Sequence, residues 1–238
     1  HAGDLDTDGI PDLMISAPFN ETGGNKAGRV YIVYGVDALS YSTLLLADAD
    51  IRIEGEAPYD EAGTGLSSGQ DVDGDGAPEI IIGAPYNDTG EDNAGRAYLF
   101  WGASLGVTEA IDTADADVIF SAVEEDGELG TSVSASTDVD ADGLAEVIIG
   151  VPGSNVGGSE AGAVLLFQGD LLSAGGVFTP DDADYSFYGT GADDHAGQFV
   201  LGTGDIDADG FGDIAVGEPD DTSIYGSRSG TVHLLFAP

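Results

Sequence analysis

An acidic motif recurring at a constant 67-residue interval, apolar runs of about five β-branched residues, and 38 glycines along 238 residues together predict an all-β fold. The architecture they point to is a β-propeller with blades of four antiparallel strands. The acidic copies read DLDTDGIPD from Asp4, DVDGDGAPE from Asp71, DVDADGLAE from Asp138 and DIDADGFGD from Asp205. Fourteen residues after each start stands a proline, at Pro18, Pro85, Pro152 and Pro219. Gly63, Gly130 and Gly197 precede their acidic motifs by eight residues, and Ile53, Phe120 and Phe187 stand ten residues earlier still. The last unit slips by one residue, so that Gly230 answers Gly28, Gly95 and Gly162. The expected organisation is one domain over 1–238, or a segment of a larger one, in units of about 1–50, 51–117, 118–184 and 185–238.

The second unit shows the elements in order. Ile51 to Gly55 is the first strand, and Gly65 to Gln70 runs into the acidic loop. Glu79 to Gly83 leaves the loop, and Gly95 to Trp101 follows a polar turn. The runs EIIIG, EVIIG and DIAVG have the length and branching of strands buried on both faces. AGRVYIVYG, AGRAYLFWG and AGAVLLFQG are longer, partly alternating and rich in aromatics. Connections 36–50, 103–117 and 170–184 each end in Asp-Ala-Asp, and they fit either loops or a short helix. The first unit is expected to lack its first strand and the last to stop after its third. That count is 14 strands where four full blades need 16, so the first and last blades are incomplete and exposed sheet edges are expected. A longer chain, or another copy, would complete the ends.

Charge narrows the function. With 45 acidic and 5 basic side chains the formal net charge is −40, which repels nucleic acid and anionic membranes. Hydrophobic residues make up 42% of the chain, enough for a core, so cations or salt must offset the self-repulsion of a compact state. The absence of cysteine excludes disulfides and thiolate metal sites. No apolar run approaches a membrane span, so direct membrane insertion is not expected. The N-terminus resembles no signal peptide, and a leader, if the protein is secreted, lies outside this numbering.

Aspartates at positions 1, 3 and 5, glycine at 6 and a carboxylate at 9 form a cage of hard oxygens, which Ca²⁺ favours because it takes six to eight oxygen ligands. The candidate ligands are Asp4, Asp6, Asp8, Ile10 and Asp12 in the first loop, and Asp71, Asp73, Asp75, Ala77 and Glu79 in the second. The third loop offers Asp138, Asp140, Asp142, Leu144 and Glu146, the fourth Asp205, Asp207, Asp209, Phe211 and Asp213. The seventh residue of each loop would contribute its carbonyl. A solvated acidic turn explains one such loop but not four in register. A carboxylate pair for glycoside hydrolysis would need one special pair, whereas all four loops look alike. Mg²⁺ tolerates fewer protein ligands than this cage supplies.

Asp-x-Asp-x-Asp-Gly-x-x-Asp/Glu followed by Ile-Ile-Gly-Ala-Pro resembles the FG-GAP repeat of integrin α-subunit propellers and related bacterial surface proteins. The Phe of the FG half is replaced by Ala62, Leu129 and Ala196. The GAP half is intact only at Gly83-Ala84-Pro85 and reads Ser16-Ala17-Pro18, Gly150-Val151-Pro152 and Gly217-Glu218-Pro219 elsewhere. The resemblance implies cation loops on one face of the propeller, up to four Ca²⁺, and ligands met on the opposite face.

The expected function is a calcium-stabilised extracellular or cell-surface module for binding or adhesion, in a salty setting, and not an enzyme. A protein or carbohydrate ligand, or further copies of the chain, would meet the turns at 56–62 and 86–94, with Tyr59, Tyr86 and Asn87 as contacts. The alternatives are a self-assembling surface or filament subunit, and a calcium-dependent polysaccharide-active enzyme or its accessory domain. The histidines His1, His195 and His233 occupy non-equivalent places, and no nucleophile is tied to a base by spacing. Met14 and Trp101 fall in strand-like runs and are expected in the core.

Overall fold

The computed structural model describes residues 2–35, 43–106, 110–221 and 229–237, in which nearly all regular structure is β. The first sheet runs β1 (Leu13–Ala17), β2 (Arg29–Val33), β3 (Ile51–Glu54), with the two-residue β7 (Ile111–Asp112) added in parallel. The second orders β4 (Gly65–Ser68), β5 (Ile80–Ala84), β6 (Arg96–Phe100) and β8 (Val118–Ser121), extended in parallel by β12 (Gly176–Phe178). The third contains β9 (Val133–Thr137), β10 (Glu146–Val151), β11 (Ala163–Phe167) and β13 (Tyr185–Tyr188). The fourth has, among the described residues, β14 (Phe199–Gly204), β15 (Asp213–Glu218) and β16 (Thr231–Leu235). Apart from the parallel additions, every pairing is antiparallel.

Without those additions the blades hold three, four, four and three strands, as the sequence leads one to expect, but the sheets run out of phase with the units. The first strand of each unit joins the sheet of the unit before it: β3 lies on β2, β8 on β6 and β13 on β11. Hence the unit at 185–238 does not stop after its third strand, as expected, but has all four, and among the described residues that at 1–50 has two rather than three. The connections carry the reason. Each contains a 3-10 turn, Leu46–Asp48, Thr113–Asp115 or Pro180–Asp182, that closes on the Asp-Ala-Asp motif. The second aspartate then accepts a backbone N–H at the end of the preceding strand: Asp50 from Tyr34 (2.8 Å), Asp117 from Trp101 (2.9 Å) and Asp184 from Gln168 (2.8 Å). This latch turns the chain back antiparallel onto the strand it has just left. A four-residue helix, α1 (Gly169–Leu172), opens the third connection, while residues 36–42 of the first lie outside the described residues.

Successive units are clamped through the glycines of the repeat. Gly130 has φ +92°, a backbone that disfavours any side chain, and its N–H donates to Gly150 O in its own sheet (3.0 Å). Its carbonyl presses on Gly83 of the preceding sheet, where a Cβ would sit 1.8 Å away; Gly150 meets the Gly197 carbonyl in the same way, at 1.9 Å. This close approach is why glycine stands in the GAP half of those two units. Parallel bridges Gly28–Ala62, Gly95–Leu129 and Gly162–Ala196 repeat the junction on the same side.

The core is a stack of inter-sheet layers. Ile32, Ile51 and Ile53 of the first sheet pack with Ile80, Ile82 and Tyr98 of the second, and Met14 lies against them half-buried. Between the second and third sheets lie Ile81, Leu99, Phe120, Ile149, Leu165 and Phe167, with Trp101 packed alongside; the Phe120 and Phe167 rings are 4.7 Å apart. Ile148, Val164 and Leu166 meet Val200, Ile214 and Val216 between the third and fourth. At the repeat position where the chain enters the strand before the second and third loops, a Cβ on Gly65 would lie 2.4 Å from the Gly130 carbonyl, and Ser132 Oγ donates to the Gly197 carbonyl (2.8 Å). The fourth sheet carries Phe199 there, 54% exposed, beside Leu201, Val232 and Leu234 on the same open face.

Candidate metal centre

The second, third and fourth acidic loops each join the first two strands of their sheet and the first leads into β1, and the same hydrogen bonds shape all four. The first aspartate accepts from the glycine N–H at position 6: Asp4 from Gly9, Asp71 from Gly76 and Asp205 from Gly210 at 2.9 Å, Asp138 from Gly143 at 3.0 Å. The third-position aspartates Asp6, Asp73, Asp140 and Asp207 each accept the N–H of residue 5, at 3.0–3.2 Å. Asp8, Asp75, Asp142 and Asp209 accept the N–H of residue 7, which is Ile10, Ala77, Leu144 or Phe211, at 2.7–2.9 Å. The ninth-position carboxylate crosses the loop to the N–H of residue 2: Asp12 takes Leu5, Glu79 takes Val72, Glu146 takes Val139 and Asp213 takes Ile206. Two turns of left-handed backbone are required, at position 6 (φ +90° to +100°) and at position 4, where Thr7, Ala141 and Ala208 stand at φ +57° to +64°.

Asp12, Asp71, Asp205 and Asp213 accept backbone N–H groups on both oxygens, and the other loop carboxylates accept them on one. Oxygens of Asp71, Asp73, Asp75 and Glu79 lie within 4.8 Å of one another, as do those of Asp138, Asp140, Asp142 and Glu146. In the first loop the group comprises Asp4, Asp6 and Asp8; in the fourth, Asp205, Asp207 and Asp213. Asp12, whose second oxygen accepts Gly35 N–H (2.8 Å), stands outside the first group, and Asp209 stands outside the fourth. Glu79 and Glu146 are fully buried, and one oxygen of each has no hydrogen-bond partner; one buried oxygen each of Asp4 and Asp138 is equally bare. Burial, aided by neighbouring aspartates, pushes both glutamates up to about 8 and also raises Asp12, Asp73 and Asp207. The basic side chains Lys26, Arg29 and Arg96 pair instead with Glu61, Glu54 and Glu56, away from the loops. A divalent cation fits this donor set: it would satisfy the bare oxygens and remove the repulsion together.

The opposite face is formed by the turns between the second and third strands of each sheet and by the crossings to the next. Tyr59 is exposed there, and its hydroxyl accepts from Asn25 (2.6 Å). Tyr86 is half-buried. Asn87, expected as a contact, is buried: its amide donates to Glu56 and Asp60 (both 2.7 Å), and its oxygen accepts Thr89 N–H (3.0 Å). It ties two turns together, which the exposed look of the Asn-Asp-Thr triplet concealed. Tyr98 donates to the same Glu56 (2.7 Å), and burial pushes Asp60 up to about 6. His195 lies 3.2 Å from both Glu160 and Asp220, His233 lies 2.9 Å from Glu218, and His1 is outside the described residues.

The family model described as FG-GAP repeat matches residues 1–33, 62–100, 129–167 and 197–235. The last three of these ranges each span the inner three strands of one sheet, so the match follows the phase of the sheets. Among curated proteins, phosphatidylinositol-glycan-specific phospholipase D from Rattus norvegicus is 30% identical over 197 residues, which is 79% of this chain and 22% of that protein. Integrin alpha-5 from Xenopus laevis is 29% identical over 160 residues, 64% of this chain and 14% of its own length. Integrin alpha-IIb from Homo sapiens is 28% identical over the same shares. The chain therefore spans about a fifth or less of the length of these relatives. Among the described residues no helix is long and apolar enough to cross a membrane.

Proposed function

Because the chain belongs to the FG-GAP repeat family, we propose that it is a calcium-stabilised extracellular β-propeller module that binds a ligand rather than transforming one. The observation that carries this reading is the set of four loops built on one hydrogen-bond plan, with buried carboxylate oxygens left bare in the first three. Asp71, Asp73, Asp75 and Glu79 would hold one ion, together with the Ala77 carbonyl, and the other loops would repeat the arrangement with Ile10, Leu144 and Phe211 at position 7. Their likeness to one another favours a structural role, since a catalytic pair needs two carboxylates in different environments.

The ligand, a protein or a carbohydrate, would be met on the face opposite the loops, where Tyr59 is exposed at the turn 56–62. The similarity to integrin alpha chains supports an extracellular setting and an adhesive role. That the phospholipase D relatives share about a fifth of their length with this chain is consistent with a module carried alongside a catalytic region.

Calorimetric titration of the calcium-stripped protein in low salt tests the proposal. Up to four ions should bind, and Asp73→Ala should remove one while leaving the rest. An unchanged stoichiometry in Asp73→Ala would show that the loops are not the sites.

A further inference from the structure

The cation loops of neighbouring sheets are joined by the main chain, except at one junction. Ala145 N–H, at position 8 of the third loop, donates to the carbonyl of Asp71, the first residue of the second loop (2.8 Å). Gly212 N–H, at position 8 of the fourth loop, donates likewise to the Asp138 carbonyl (2.7 Å). The second loop has Pro78 at this position, which has no N–H to offer the Asp4 carbonyl. Its ring instead crowds Gly3, where a Cβ would lie 2.7 Å from Pro78 Cγ.

The donors sit where they matter for the ions. Ala145 directly precedes Glu146, and Gly212 directly precedes Asp213, the buried carboxylates that close their loops. Their acceptors are the carbonyls of residues whose side chains open the adjacent cages. The side chain at position 7 adds a second contact: Leu144 packs 3.4 Å from where a Cβ on Gly74 of the second loop would lie. Ordering of Asp71 by an ion would therefore also fix the backbone from which Glu146 enters the third loop, and the reverse holds by linkage.

We infer that the Ala145 and Gly212 amides are positioning groups that make the second, third and fourth cation loops bind calcium cooperatively, while Pro78, which packs on Gly3 but offers the Asp4 carbonyl no N–H, leaves the first loop outside that step. This inference rests on the calcium reading of the loops proposed above. The first ion to bind meets the ordering cost of the shared backbone, and the next ion meets less of it, which is cooperativity without a large change of shape. Coupling between sites commonly amounts to about fivefold in affinity or more.

Calcium titrations of the full chain with wild-type protein, Ala145→Pro and Pro78→Ala test it. Proline already stands at position 8 in the first two loops, as Pro11 and Pro78, so Ala145→Pro asks for no loop backbone the chain does not use elsewhere. Wild-type protein should fill three sites in one cooperative step and a fourth site separately. Ala145→Pro should keep the same number of ions, lower the cooperativity, and weaken the second site by about fivefold or more. Pro78→Ala, which adds a donor, should draw the first site into the cooperative step. It decides the matter alone if Ala145→Pro does not fold. Unchanged stepwise constants in these variants at full stoichiometry would overturn the coupling, whereas a wild-type chain that binds no calcium would overturn the calcium reading beneath it.

Discussion

Glu79 and Glu146 are fully buried at the backs of their loops, each with one oxygen held by a backbone N–H and the other bare. Their carboxyls rise from an ordinary 4.5 to about 8, chiefly because burial penalises the charged form. Between those two values the folded calcium-free chain binds more protons than the unfolded chain, so its stability is greatest below 4.5 and falls as pH rises towards 8. Each glutamate should contribute at most about 1.4 kcal/mol per pH unit to that fall. Thermal melts of the calcium-stripped protein from pH 4.5 to 8.5 should show a declining melting temperature, and the stabilisation gained on adding calcium should grow over the same range. A calcium-free melting temperature that rose with pH would contradict the buried, bare geometry of these carboxylates. At this scale the candidate ligands could be read directly, because their alternation is a property of sequence. The exclusion of Asp12 from the first group could not, since the sequence does not show that its second oxygen meets Gly35, twenty-three residues away, or which way the carboxylate turns.

Phe120 on β8 shows what the interleaving of strands contributes. Its side chain is fully buried, and it belongs to the second sheet although the repeat places it at the start of the third unit. Phe120→Ala should cost about 3–5 kcal/mol, the usual range for a core aromatic truncated to alanine. Tyr185→Ala, on the equivalent strand β13 but 55% exposed, should cost far less. Denaturant unfolding of the two variants checks the contrast, and equal losses would mean that the layer between the second and third sheets is not where the stability lies. Strand existence was legible from the β-branched runs, but the share of each unit was not: the last unit carries four strands where three are expected, and the described part of the first carries two where three are expected. The phase was not, because it is set by the latches from Asp50, Asp117 and Asp184, and a tripeptide does not reveal which N–H its carboxylate will accept. The additional strands β7 and β12 left no mark either, being two and three residues long.

The whole molecule must hold a formal charge of −40, of which four divalent ions would offset a fifth. Screening has to supply much of the rest, and its range shortens from about 30 Å at 0.01 M salt to about 3 Å at 1 M. The melting temperature of the calcium-free chain should therefore rise by several degrees between those concentrations of sodium chloride, at about 2–4 °C per kcal/mol regained. With calcium saturating the loops the rise should be smaller. Scanning calorimetry at both calcium levels measures the difference, and an equal response would mean that the loops are not a main seat of the repulsion. A different property of the whole follows from the position shared by Gly65, Ser132 and Phe199. At the first two, the neighbouring unit lays a backbone carbonyl almost on the strand, and at the third a benzyl group fills that space. The units are thus not interchangeable tiles: a copy of a middle unit grafted behind the fourth would bring its carbonyl into the ring of Phe199, so a duplication there could dock in the same register only after that residue had been exchanged for a small one.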